Sequence, residues 1–171
     1  MSYKVIRTHE ICAGHRVVGH ESKCRMLHGH NYVFHLHVAP KPIDGVSVKG
    51  DPLDQVGRAI DFSVVKSTLC QWLEDNWDHK FLHWEQDDLM TGLKAVVQQD
   101  WQEWPYCPSI DAKGREHFFS SLVSLPFNPT AENLAAHMVN VVGPMLLDEH
   151  GVELIACRIE ETSKCHAEYT K

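Results

Sequence analysis

Hydrophobic and polar residues along the chain switch twice between a two-residue and a helical period. Tyr3 to Cys12 and Asn31 to Val38 are rich in strand formers, and the second reads Asn-Tyr-Val-Phe-His-Leu-His-Val. Asp61 then predicts a helix start, because its carboxylate suits an N-cap and Val64, Val65, Leu69, Trp72 and Leu73 follow at the spacing of one buried stripe. A second helix is predicted from the run Asn128-Pro129-Thr130-Ala131-Glu132-Asn133, capped by Thr130 or Asn128, with Leu134, Met138, Val141 and Val142 on one face. Glu153 to Glu160 alternates as a strand, and a short strand is expected around Ala167 to Tyr169. The order strand-strand-helix-helix-strand-strand predicts an α+β domain of two layers, four strands against two main helices.

Two stretches do not follow this pattern. Residues 40–58 carry Pro40, Pro42, Gly45, Gly50, Pro52 and Gly57 and read as a turn-rich connection. Residues 84–126 read as an insert between the helices, and Trp84, Trp101 and Trp104 are expected to pack on the body or on another subunit.

Length and charge narrow the function. A chain of 171 residues, 43% hydrophobic, can bury one sizeable core, so a single domain spanning 1–171 is expected. A formal charge of −7 argues against a protein that coats nucleic acid or anionic membrane, so an anionic substrate would need a local pocket. There is neither an apolar run long enough to span a bilayer nor a charged-then-apolar leader, which makes the cytoplasm the default expectation. Six dispersed cysteines fit free thiols in a reducing compartment better than a disulfide framework.

The most informative stretch is Lys23-Cys24-Arg25-Met26-Leu27-His28-Gly29-His30. Residues two apart on a strand share a face, so His28 and His30 can converge on one ion. If the first two strands pair antiparallel, Ala13-Gly14-His15 comes beside them and His15 supplies a third imidazole. Three neutral imidazoles suit zinc and leave its fourth position open, as in catalytic rather than structural sites. Cys24, flanked by Lys23 and Arg25 and close to such an ion, would have its thiolate favoured. Each feature taken singly also fits exposed strand histidines or a small buried cysteine. His79 and His83, if helical, form a rival i, i+4 pair.

Taken together, Ala13-Gly14-His15-Arg16, Cys24-x3-His28-Gly29-His30, Ile60-Asp61-Phe62, Asp78-His79, Pro129-Thr130-Ala131-Glu132-Asn133 and Glu161-Thr162 resemble, in order, the family of 6-pyruvoyl-tetrahydropterin and 6-carboxytetrahydropterin synthases. The resemblance implies the tunnelling fold (T-fold), with a four-stranded antiparallel sheet and two helices on one face. It also implies Zn2+ on His15, His28 and His30, Cys24 as the catalytic cysteine, and Asp78 with His79 completing the acid/base set. The insert at 84–126 has no counterpart in the compact members.

For substrate, the resemblance implies 7,8-dihydroneopterin triphosphate, with Glu161 gripping the pterin, Thr162 adding a polar contact, and Lys23, Arg25 and Arg16 near the triphosphate. Glu132 reads as a helix-entry or pocket-supporting residue. Asp78 can orient the His79 ring, but adjacent residues on a regular element do not face each other, so a direct hydrogen bond between them is left open, as is which of Glu160 and Glu161 points inward. Trimers pairing into hexamers, with shared active sites, are implied. The three-residue gap between Cys24 and His28 resembles the 6-carboxytetrahydropterin branch of queuosine and deazapurine synthesis. The pyruvoyl synthase reaction and a non-catalytic zinc-binding domain stand as alternatives.

Overall fold

A computed structural model of the chain describes residues 3–41, 53–98 and 111–171. Most of the turn-rich connection, and Trp101, Trp104, Pro105 and Pro108 of the insert, lie outside the described residues. The sheet is built around two long strands, β1 (Val5–His15) and β2 (His28–Pro40), paired antiparallel over eleven positions from Val5↔Val38 to His15↔His28. On the other side of β2 run β5 (Val152–Thr162) and β6 (Cys165–Thr170), both antiparallel.

The sheet has six strands in the order β4-β3-β1-β2-β5-β6, where four were expected. The additional pair is β3 (Phe81–Trp84) and β4 (Leu122–Leu125), both parallel to the edge of β1. Each is only four residues long, too short for alternation to show, and their pairing comes from the insert. The described residues of the insert between these two strands form helices at Asp88–Gln98 and Ala112–Ser120.

Helices cover one face. The first helical run contains α1 (Phe62–Val65), a π turn (Lys66–Cys70) and α2 (Gln71–Asn76); the insert contributes α3 (Asp88–Gln98) and α4 (Ala112–Ser120); the last run contains α5 (Ala131–His137), a second π turn (Met138–Val142) and α6 (Gly143–Leu147). Asp61 caps the first, accepting the Ser63 N–H at 2.8 Å, and Thr130 caps the last, accepting from Asn133 at 3.3 Å. Asn128 takes a different part: its side chain accepts the Val18 N–H at 2.9 Å and donates to the Val18 carbonyl at 2.8 Å.

Val65, Leu69, Leu73 and Trp77 from the first run meet Tyr32, Phe34, Leu36 and Ile159 of the sheet, and Leu134, Met138 and Val142 close the core from the last run. Val141, expected on that buried face, is 50% exposed. The π turn that holds it adds a residue to the helical repeat and so rotates the position outward.

Gly14 and Gly29 face each other across β1 and β2. A Cβ on Gly29 would lie 2.9 Å from the Ala13 carbonyl oxygen, and one on Gly14 would lie 2.6 Å from the Phe81 ring. Gly29 therefore has no room in the backbone, whereas Gly14 depends on a side chain that can shift. Gly29→Ala should cost about 1–3 kcal/mol in urea unfolding, in the range of overpacking, and Gly14→Ala less. Equal, negligible losses for both would show that the strands can separate freely there.

Candidate metal centre and active site

The register that pairs His15 with His28, and Ala13 with His30, puts three imidazoles on the helix-covered face at one end of the sheet. Their ring centroids lie 4.5 Å (His15–His28), 5.2 Å (His15–His30) and 5.0 Å (His28–His30) apart, and their ligand nitrogens all fall within 4.8 Å of one another. Among the described residues this is the only group of histidines, cysteines and carboxylates so arranged.

Backbone carbonyls orient the rings. His15 Nδ1 donates to the Pro129 carbonyl at 2.7 Å and His28 Nδ1 to the Met26 carbonyl at 2.8 Å, while His30 bonds the backbone of Glu161. A carbonyl can only accept, so the proton sits on Nδ1 and the Nε2 lone pair is left free. The Nε2 atoms of His15 and His30 are buried without a hydrogen-bond partner among the described residues. Orphaned lone pairs turned toward one point suit a divalent cation, and the three residues could hold one.

Burial dominates the ionisation of this group. It pushes His15 down to about 4; the Pro129 carbonyl opposes the shift and neighbouring His28 and His30 add to it. Burial likewise lowers His30, against the opposing pull of Glu161. Both imidazoles are thus held neutral, the form that binds a metal.

Cys24 sits on a 3₁₀ turn (Lys23–Arg25) that enters β2. The turn is tied to the loop that follows β1, because the Val17 N–H donates to the Cys24 carbonyl at 2.7 Å and Asn128 clamps the adjacent Val18. Cys24 lines a cavity of about 310 Å3 with His15, Thr130, Glu132 and Glu161. Glu161 is the inward member of the Glu160–Glu161 pair, its Oε1 3.9 Å from His15 Nε2. Glu160 instead accepts from His35 at 3.0 Å and from Arg158 at 2.9 Å. His20, Cys165 and His166 also border the cavity. No motif singled them out, since a turn and a hairpin place them there.

Asp78 and His79 are elsewhere. Asp78 Oδ1 accepts the Cys12 N–H at 2.8 Å, and its Oδ2 meets His79 Nδ1 at 2.7 Å, so the direct contact that adjacency left open is present. His79 adopts φ 55°, a left-handed conformation that turns the ring back onto its neighbour and costs a non-glycine residue roughly 1–2 kcal/mol. Burial opposes ionisation of Asp78, but the Cys12 amide and the His79 imidazole outweigh it and hold the carboxyl below its ordinary range. The His79 side chain is 80% exposed and borders a depression with Cys12, Gly29 and Asn31 that His28 and His30 also line, whereas Cys24 lines the other cavity.

Other expected contacts are not made within the chain. Lys23 and Arg25 are exposed and do not line the cavity. Thr162 is exposed and its hydroxyl accepts the Lys164 N–H at 3.2 Å. Arg16 pairs with the buried Asp87 at 3.1 Å, anchoring the insert beside β1 instead of facing the cavity. The rival His79/His83 pair does not form: the two lie on a turn and on β3, not a helix, and His83 is buried with Nδ1 on the Trp84 carbonyl.

A curled α+β sheet with a three-histidine group at one end defines a class that comparison makes specific. The profile of the family described as 6-pyruvoyl tetrahydropterin synthase matches residues 4–171. The chain is similar to proteins named 6-carboxy-5,6,7,8-tetrahydropterin synthase from Rickettsia bellii (30% identical over 165 residues, 96% of this chain and 98% of the relative) and Rickettsia typhi (31% over 166 residues, with the same coverage). Among solved structures, an uncharacterized protein from Wolinella succinogenes superposes with TM-score 0.76 at 20% identity over 100% of this chain and 99% of that one. The 6-pyruvoyl tetrahydropterin synthase of Plasmodium vivax gives 0.61 at 17% over 100% and 98%. The chain belongs to the 6-pyruvoyl tetrahydropterin synthase family and is an enzyme of the tetrahydropterin synthase type with the T-fold. None of its described helices is long and apolar enough to cross a membrane.

In the metal-free protein, the unfolded chain binds a proton at His15 near its ordinary value while the folded chain resists until about 4. Stability is therefore full above about pH 6.5 and falls as pH drops toward 4, by roughly 3 kcal/mol for this group. Urea midpoints measured across that range should show the loss, and His15→Gln should flatten it. An unchanged slope in that variant would place the acid sensitivity at another group.

Proposed function

We propose that the protein is a zinc-dependent 6-carboxy-5,6,7,8-tetrahydropterin synthase, converting 7,8-dihydroneopterin triphosphate and water to 6-carboxytetrahydropterin, acetaldehyde and triphosphate in cytoplasmic queuosine or 7-deazapurine synthesis. The observation that carries this reading is the meeting of His15, Cys24 and Glu161 in one cavity beside His28 and His30. The names of the Rickettsia relatives and the three-residue Cys24–His28 spacing favour the carboxy product over the pyruvoyl one.

His15, His28 and His30 hold the zinc, which when bound supplies Lewis acidity to substrate hydroxyls. Glu161 accepts the side-by-side N–H and amino group of the pterin in two charge-assisted hydrogen bonds, which places the side chain of the substrate against Cys24. The Cys24 thiolate takes the proton from the first side-chain carbon. Lys23 and Arg25, exposed on the turn that carries Cys24, offer positive charge to the triphosphate, and Thr162, next to Glu161, offers the substrate a polar contact.

The acid/base partner comes from a second copy of the chain. Asp78 fixes and polarises His79, whose ring can take up or release a proton, yet the His79 side chain is exposed and borders a different depression from the cavity that holds its own chain's Cys24. In a homotrimer or hexamer, the pair would serve a neighbour's cavity.

Incubation of the zinc-loaded protein with the triphosphate substrate, with the product weighed by mass spectrometry, should give the carboxy pterin and acetaldehyde. A pyruvoyl product moves the chain to the sister reaction. Cys24→Ala should retain one zinc per chain and lose turnover by at least about 100-fold, in the range of general base removal; full activity would exclude the thiolate. Mixing inactive Cys24→Ala and His79→Gln subunits should restore about a quarter of wild-type activity if sites are shared and subunits assort randomly. Mixed oligomers without activity would put both residues of a working site on one chain.

A further inference from the structure

Tyr32 lies two residues beyond His30 on the same face of β2, directly under the histidine group. Its ring packs edge-on against His15 at 5.6 Å and 79°, and against His30 at 5.4 Å and 74°. The residue is 0% exposed, and its hydroxyl has no hydrogen-bond partner among the described residues. An orphaned buried hydroxyl costs about 1–3 kcal/mol, and a phenylalanine would fill the same space without that cost. Phe34, the next inward residue on β2, shows that the core beneath accepts a plain aromatic ring.

The surroundings of the hydroxyl indicate what it faces. The acidic groups near enough to act on it are Glu161 and Cys24, both of which line the cavity beside the metal centre. Burial foremost, reinforced by those two groups, raises its pKa, so the phenol keeps its proton and has an O–H to donate toward an anionic or lone-pair-bearing oxygen. The site thus contains two orphaned imidazole nitrogens and one orphaned hydroxyl within a single shell of packed rings.

We propose that Tyr32 is a positioning residue whose hydroxyl donates a hydrogen bond to the oxygen ligand, a water or a substrate hydroxyl, in the position that the three histidines leave open. This assignment rests on the reading that His15, His28 and His30 hold a metal. It makes the phenol the element that orients the oxygen and favours its deprotonated form, since a donor stabilises the charged state of its acceptor.

The test uses Co2+ as a spectroscopic probe in the wild-type protein and in Tyr32→Phe, with metal stoichiometry, the visible spectrum across pH and thermal unfolding of the metal-free chains all measured. Both proteins should bind one Co2+ per chain. The alkaline midpoint of the spectral change should rise in Tyr32→Phe by about one pH unit, the size of one lost hydrogen bond to the charged form. Without metal, Tyr32→Phe should melt no lower than the wild type. Equal midpoints with normal metal uptake would overturn the role of Tyr32 alone. A metal-free variant less stable than the wild type would show that the hydroxyl has an internal partner and would overturn it too. Failure of the wild-type protein to bind Co2+ would overturn the metal reading and this assignment with it.

Discussion

The antiparallel pairing of β1 with β2 is the constraint on which the remaining structure depends. Because side chains alternate, a slip of one residue would send His15 to the outer face or His28 and His30 away from it, and would also expose Tyr32, Phe34 and Leu36. The burial of that hydrophobic set and the assembly of the histidine group are therefore the same structural decision. Gly29, with no room for a Cβ beside the Ala13 carbonyl, sits at the centre of the paired ligands and favours one register.

Around this pair, two elements remote in sequence complete the site. The entry to α5 supplies the Pro129 carbonyl that orients His15, and Asn128 clamps the Val17–Val18 segment that in turn bonds Cys24. The end of β5 supplies the backbone partner of His30 and the inward carboxylate of Glu161. Backbone carbonyls do most of the orienting, and such support tolerates substitution of the residues that provide it. Cost is concentrated at the same place: neutral buried imidazoles, an orphaned phenol and, on the opposite side of β1, a left-handed His79. Groups held at a cost that the surrounding fold sustains are what a preorganised site requires.

The described part of the insert adds to the sheet and does not line the cavity. β3 and β4 extend the edge of β1 in parallel, and the Arg16–Asp87 ion pair fastens the start of α3 to the residue after His15. Arg16, a cation that sequence proximity would place near an anionic substrate, is occupied in this structural link.

Long elements with a clear period were legible from the chain alone: β1, β2, β5, the two capped helical runs and the spacing of His28 and His30, because burial of one face imposes a repeat of two or of about 3.6 residues. The pairing of His15 with them could also be foreseen, since a strand and its antiparallel return bring their ends together. What the tertiary structure decided was everything set by contacts between distant segments or by a single dihedral angle. The four-residue strands β3 and β4 exist only because β1 offers an edge; the π turn rotates Val141 outward; φ at His79 joins two adjacent side chains that a regular element would separate. Parity left Glu160 and Glu161 equivalent until His35 and Arg158 claimed the first. Local periodicity records which face of an element is buried, whereas a site is a meeting of faces, and that meeting is fixed only when the chain packs.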